Sequence, residues 1–126
     1  MRSVLTALLI VLAIVIGGLS YTEQLEKLSG QLVVYSGELA KDIEAENFDG
    51  ALEQLKIIED FLEERRTMME STGKHGNMYE IKRNIIELRS YIECKAKKEA
   101  LTKNKSLEFL FEDLPKNFHI RIENIL

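Results

Sequence analysis

The side chains with the widest chemical repertoire are few: two histidines, His75 and His119, and one thiol, Cys94. His75 lies between Gly73 and Gly76 at the expected start of a helix, a place where ligands often sit. Zinc normally takes three or four protein ligands. A metal site would therefore need both histidines together with Glu70 or Glu80, and a tail folded back to bring His119 to His75. No His-x-x-x-His or His-x-x-Glu-His spacing places two ligands on one helix turn. As a general base, His75 would need a nucleophile or a second titrating group held beside it. Ser71 and Thr72 are near in sequence, but as ordinary loop residues. There is no Gly-x-Ser-x-Gly, no glycine-rich phosphate loop and no paired-acid motif. The expectation is a protein that is not an enzyme, with no catalytic residues, cofactor or metal. A ligand- or metal-sensing bundle using His75 and His119 is the alternative.

Composition narrows the remaining classes. The net charge of -4 gives nucleic-acid binding no electrostatic support. One cysteine allows neither a disulfide framework nor a thiol pair for metal, so Cys94 reads as a small packed residue or an intermolecular bridge. The one concentration of positive charge is Lys95, Lys97, Lys98, Lys103 and Lys105. It reads as favourable charge near the C-terminal end of a helix. The alternative is weak contact with an anionic surface, either headgroups or a wall polymer.

The elements that would position these groups follow from hydropathy. Residues 3–22 carry no charge, and residues 4–16 are almost entirely Val, Leu, Ile and Ala. About 20 helical residues cross a hydrocarbon core, so residues 4–21 read as a membrane segment and residues 1–22 as a signal-anchor. Arg2 precedes the run. Among the acidic residues that follow it, from Glu23 to Glu46, only Lys27 and Lys41 are basic, a lysine and arginine bias that keeps the N-terminus in the cytoplasm and sends the rest out. A cleaved signal peptide is the rival, with small residues at Gly18 and Ser20 suited to cleavage after Ser20.

Residues 23–114 read as an extracytoplasmic antiparallel bundle of three or four helices, making the chain all-α. Leu25, Leu28, Leu32, Tyr35 and Leu39 recur at 3-4-3-4 spacing, with Ile43 beside them. On the back of this helix Ser29-Gly30 and Ser36-Gly37 recur seven apart around Val33 and Val34. The stripe Gly30, Val33, Gly37 is either packed inside the bundle or open to a partner helix. Asn47 caps a second helix that starts at Phe48 and carries Leu52, Leu55, Ile58, Leu62 and Met69. No 34-residue period follows, so a tetratricopeptide array is excluded. Asn77, with Glu80 three residues on, predicts the cap of a third helix bearing Met78, Ile81, Ile85, Leu88 and Ile92. A fourth would hold Leu101, Leu107, Leu110, Phe111 and Leu114 before Pro115 ends it.

Residues 115–126 alternate apolar Phe118, Ile120 and Ile122 with His119, Arg121 and Glu123, the period of an extended chain. Such a tail can lie in a groove of the bundle, with Asn124, Ile125 and Leu126 as a final plug, or add to a partner's sheet edge.

His75 followed by Met78, Ile81, Ile85 and Leu88, then a charged helix and the closing Glu123-Asn124-Ile125-Leu126, resembles a family of small clostridial and bacillar proteins. These are grouped only as a domain of unknown function, DUF family forty-three sixty-three. The resemblance covers nearly the whole chain and implies an N-terminal hydrophobic segment, a helical body and a shared Asn-Ile-Leu ending. Acidic residues often follow the histidine in that family, where this chain has Asn77 and Tyr79, and an earlier tryptophan is missing here. The resemblance supplies no activity. The reading that emerges is a membrane-anchored interaction or accessory protein for another envelope or membrane protein. Its candidate contact residues are Gly30, Val33, Gly37, His75, Ile120, Ile122, Asn124, Ile125 and Leu126, and self-association is one form the contact can take.

Overall fold

The computed structural model describes residues 2–67 and 75–114, with the side chains of residues 17–22 and 75–77 outside that description. Among the described residues four helices carry the fold: α1 (Arg2–Glu44), α2 (Phe48–Glu64), α3 (His75–Glu93) and α4 (Lys97–Glu112). No strand occurs among the described residues. The helices form a ring in which α1 packs on α2 and α4, and α3 on α4 and α2. The leucine seam of α1 closes the centre: Leu25, Leu28, Leu32, Leu39 and Ile43 are buried with Leu55, Ile58, Ile81, Leu88, Ile92, Leu107 and Phe111. Tyr35, expected in that seam, lies at its edge and meets Phe61 edge-on at 5.4 Å between ring centroids.

Three boundaries differ from expectation. The apolar segment and the first bundle helix are one uninterrupted 43-residue helix, so no break marks residue 22. Helix α3 begins at His75, which places Asn77 inside the helix and not at its cap. Gly76 is also inside, because a glycine costs a helix about 1 kcal/mol without forbidding it. The ambiguous run after Ile92 turns at residues 94–96, so Lys97 and Lys98 open α4 instead of closing α3. There the helix dipole disfavours cations, so the reading as C-terminal helix charge is corrected for Lys97 and Lys98, while Lys95 does lie at the C-terminal end of α3.

The two tight turns are the same structure twice. After α1, the amides of Ala45, Glu46 and Asn47 donate to Lys41, Ile43 and Asp42; after α3, those of Cys94, Lys95 and Ala96 donate to Ser90, Ile92 and Tyr91. Glu46 and Lys95 both sit at φ 58°, the left-handed residue that ends a helix in this hydrogen-bond pattern. Each position in one turn lies 49 residues from its counterpart, and the offset extends into the core. Ile43 pairs with Ile92, Ala51 with Ala100, Leu52 with Leu101, Ile58 with Leu107 and Leu62 with Phe111. The bundle is thus two helical hairpins of one design. They differ at the cap. Asn47 Oδ1 accepts from the Gly50 amide at 3.2 Å, and a Cβ on Gly50 would come within 2.9 Å of Asn47 Cγ. The second hairpin has Ala96 at that cap with no side-chain bond, which frees its counterpart position for Glu99.

The hairpins meet differently on their two sides. Along α1–α4, Ser29 and Ser36 are buried and small. Ser29 Oγ donates to the Phe111 carbonyl at 2.6 Å, and Asn104 Nδ2 donates to the Ser36 carbonyl at 2.9 Å. At α2–α3 the counterparts of Ser29 and Ser36 are Met78 and Ile85, whose bulk holds the helices further apart. Ser36→Leu is expected to cost about 1–3 kcal/mol through overpacking at the close side, read as a lower urea midpoint with an unchanged m-value.

Candidate functional site

Four surfaces could engage something else, and the first is the N-terminal half of α1. Every large hydrophobic side chain in residues 4–16 is between 51 and 68 % exposed. This length of helix rises about 20 Å and touches no other described element, so its apolar surface stands uncovered on all sides. Among the described residues, no helix is long and apolar enough to cross a membrane. The expected span, residues 4–21, includes positions whose side chains lie outside the description, as does the cleavage reading at Ser20.

The second surface is the outer face of α1. The serines of the small-residue stripe face α4, but the glycines do not. A methyl group on Gly30 or Gly37 would meet no neighbouring atom within 4 Å. Val34 between them is 56 % exposed, whereas Val33 packs partly against the core. The stripe therefore divides: its serines serve the bundle, and its glycines lie open.

The third is a groove between α2 and α3, near the end from which the apolar extension leaves. Leu62, Met78, Ile85 and Ile86 line it, with Glu59, Glu63 and Lys82 at its edge and a volume of about 260 Å³. Arg89 on α3 pairs with Glu59 on α2 below it. Its lining is dominated by apolar side chains, which suits apolar ligand surface better than a charged small molecule.

The fourth is charged. Glu87 accepts from Arg83 Nε at 3.1 Å and from Lys103 Nζ at 2.5 Å, tying α3 to α4. These bonds, that from Lys103 first and that from Arg83 next, hold the Glu87 carboxyl below its ordinary value. The same bond to Glu87 raises Arg83. Lys103 thus has a structural partner and leaves the set of free surface lysines. Lys95, in the turn, and Lys98 are exposed at the bundle end opposite the apolar extension, with Lys97 half-buried beside them. Cys94, exposed as a free thiol, lies there too; the reading of it as a packed residue is corrected, because the turn faces it outward.

The histidine constellation is not assembled among the described residues. The backbone of His75 starts α3, but its side chain, Glu70 and His119 lie outside the description, as do Met69 and the tail with Ile120, Ile122, Asn124, Ile125 and Leu126. Among the described residues no group of three His, Cys, Asp or Glu side chains is placed to hold a metal ion. Sequence reasoning missed the α2–α3 groove. The signal that could have revealed it was the substitution of Met78 and Ile85 for Ser29 and Ser36 in the 49-residue repeat.

These features define a class: an all-α protein of two matched hairpins with an apolar helical extension. Residues 19–125 match the family described as Domain of unknown function (DUF4363), and the chain belongs to that family. Among curated proteins none matches, and among solved structures none matches.

Two outcomes follow. Gly30→Ala and Gly37→Ala each raise stability by up to about 1 kcal/mol, because the added methyls meet nothing; denaturant midpoints read this. The sign at Glu87 follows from its lowered pKa. It stabilises the fold above its ordinary value of 4.5 and loses that contribution as pH falls through the folded value. Glu87→Gln should therefore shallow the acid-side fall in melting temperature while leaving the curve above neutrality parallel to wild type.

Proposed function

We propose that this protein is a membrane-anchored, non-enzymatic interaction or accessory protein. Its N-terminal apolar helix holds it in a membrane, and its bundle stands outside the cytoplasm beside another envelope or membrane protein. The observation that carries the reading is the uncovered helix of residues 4–16, continuous with the bundle through α1. Ten large hydrophobic side chains exposed together form a patch far beyond what a solitary globular surface tolerates. Extending the charge-free run to residue 22 gives it the length of a bilayer core. Arg2 and the amino terminus before it, with only Lys27 and Lys41 among the residues just after it, favour the outward orientation. The open glycine face of α1, with Gly30, Val34 and Gly37, supports a helical partner at close range.

The geometry also limits the lysines. The turn that carries Lys95 lies about 30 Å along the bundle from the apolar segment. That is several Debye lengths at physiological salt. That distance supports a wall polymer or another protein over membrane headgroups as the anionic surface for Lys95, Lys97 and Lys98, while Lys105 lies nearer the apolar segment on α4.

Fractionation and labelling test the reading together. The full-length protein should remain in the membrane pellet through carbonate washing. Its single thiol, Cys94, should react with a membrane-impermeant maleimide in intact cells. Carbonate release without cleavage would sink the anchor; labelling only after lysis would reverse the orientation. A mature N-terminus near residue 21 would replace the anchor with a secreted form.

A further inference from the structure

We infer that the bundle end opposite the apolar extension is a self-association surface, on which the acidic turn of one copy of this chain meets the basic turn of a second copy. The two turns at this end share one backbone, 49 residues apart, but not one charge. Residues 42–49 carry four acids and no base: Asp42, Glu44, Glu46 and Asp49. The equivalent residues 91–98 carry Lys95, Lys97 and Lys98 against Glu93 alone. At two equivalent positions the sign is reversed, Glu46 against Lys95 and Asp49 against Lys98. All four of these residues are exposed.

Three observations select a second copy as the partner. The first is that the charges are unused within the chain. Among the described residues no ion pair draws on any charged side chain of either segment. The second is placement. Lys97 and Lys98 open α4, where the helix dipole disfavours cations, and Ala96 gives that terminus no side-chain cap. The equivalent start of α2 has Asp49 and the Asn47 cap, both of which a helix favours. The two lysines therefore do not serve the stability of α4, and an acidic surface laid against them offsets their cost. The third is symmetry. Helices α1 and α3 run the same way on opposite sides of the ring, so the 49-residue repeat acts as an approximate twofold along the bundle axis. It sets the acidic turn on one side of the end face and the basic turn on the other. A second copy turned by 180° presents base to acid and acid to base at once, a reciprocal contact of the commonest oligomeric kind. Exposed ion pairs are individually weak, so the contact is sensitive to salt and to local concentration. The inference names a protein partner for the lysine-bearing turn and does not depend on membrane anchoring.

The test uses the full chain in a mild uncharged detergent, with Cys94→Ser and Phe109→Cys. Phe109 is an exposed position on α4 away from both turns. One pool is labelled there with a donor dye and another with an acceptor, and energy transfer is followed against protein concentration. One variant carries Glu46→Lys with Asp49→Lys, the other Lys95→Glu with Lys98→Asp. Each substitution borrows the residue that the equivalent turn already holds on the same backbone. Either variant alone should need roughly tenfold more protein for half-maximal transfer. Salt at about 1 M should weaken the wild type in the same direction. Mixing the two variants restores opposite charges across the contact and should return transfer to the wild-type level, which also shows that both are folded. Absence of transfer in the wild type would overturn the inference. So would transfer that neither reversal changes, which would assign association to the apolar helices, or a loss that mixing does not restore.

Discussion

The close contact between α1 and α4 is the constraint on which the architecture rests. Each hairpin forms from neighbours in sequence, joined by a turn of three residues. Closing the ring requires the first helix to meet the last, 82 residues apart at the Ser29–Phe111 hydrogen bond. Two serines make that closure possible. Their size brings the backbones together; Ser29 Oγ donates to the Phe111 carbonyl, whereas Ser36 is tied in through its carbonyl, which accepts from Asn104 Nδ2, and its buried hydroxyl has no partner. A larger apolar residue at either position would add buried surface but separate the helices. The interface therefore trades hydrophobic area for proximity, and helix α4, poorly hydrophobic on its own, is held by geometry as much as by burial.

The matched turns show how little sequence is needed to repeat a shape. The segments 43–52 and 92–101 share Ile, Glu, Ala and Leu at corresponding positions, yet differ in charge, cap and left-handed residue. What persists is a buried isoleucine before the turn and a buried alanine after it, with a left-handed residue between. Neither turn uses glycine at that residue, so the packing on both sides must outweigh about 1 kcal/mol or more of backbone strain in each. The two hairpins differ on their faces: one pair of helix surfaces carries Ser29 and Ser36, while the equivalent positions of the other pair carry Met78 and Ile85.

Much of the fold was legible from periodicity. The seams from Leu25 to Ile43 and from Met78 to Ile92 predicted helices and inward faces because one wrong face would expose five large side chains. Asn47 was readable as a cap because its side chain accepts the bond it was expected to accept. Other features escaped for physical reasons. Positions 29 and 30 differ by 100° around a helix, so a stripe of Ser-Gly pairs cannot say which member faces a neighbour until the neighbour is placed. The turn at Lys95 carries no glycine or proline to announce it. The groove depends on the spacing of two helices, which no single segment encodes. Of the proposed contact residues, Gly30 and Gly37 were recognisable by type, but their openness was not. The histidines and the tail were conspicuous in sequence and lie outside the described residues.

The unbroken α1 has a mechanical consequence. A single helix of 43 residues is a rod about 65 Å long. Whatever grips its apolar half therefore sets the azimuth of the bundle as well as its height. Adding one residue near position 22 would turn the α2–α3 side by about 100° and raise it by about 1.5 Å, whereas adding seven would restore nearly the original bearing. The compass direction of the bundle is in this sense counted out in residues, and a twist applied at one end of the rod is delivered at the other.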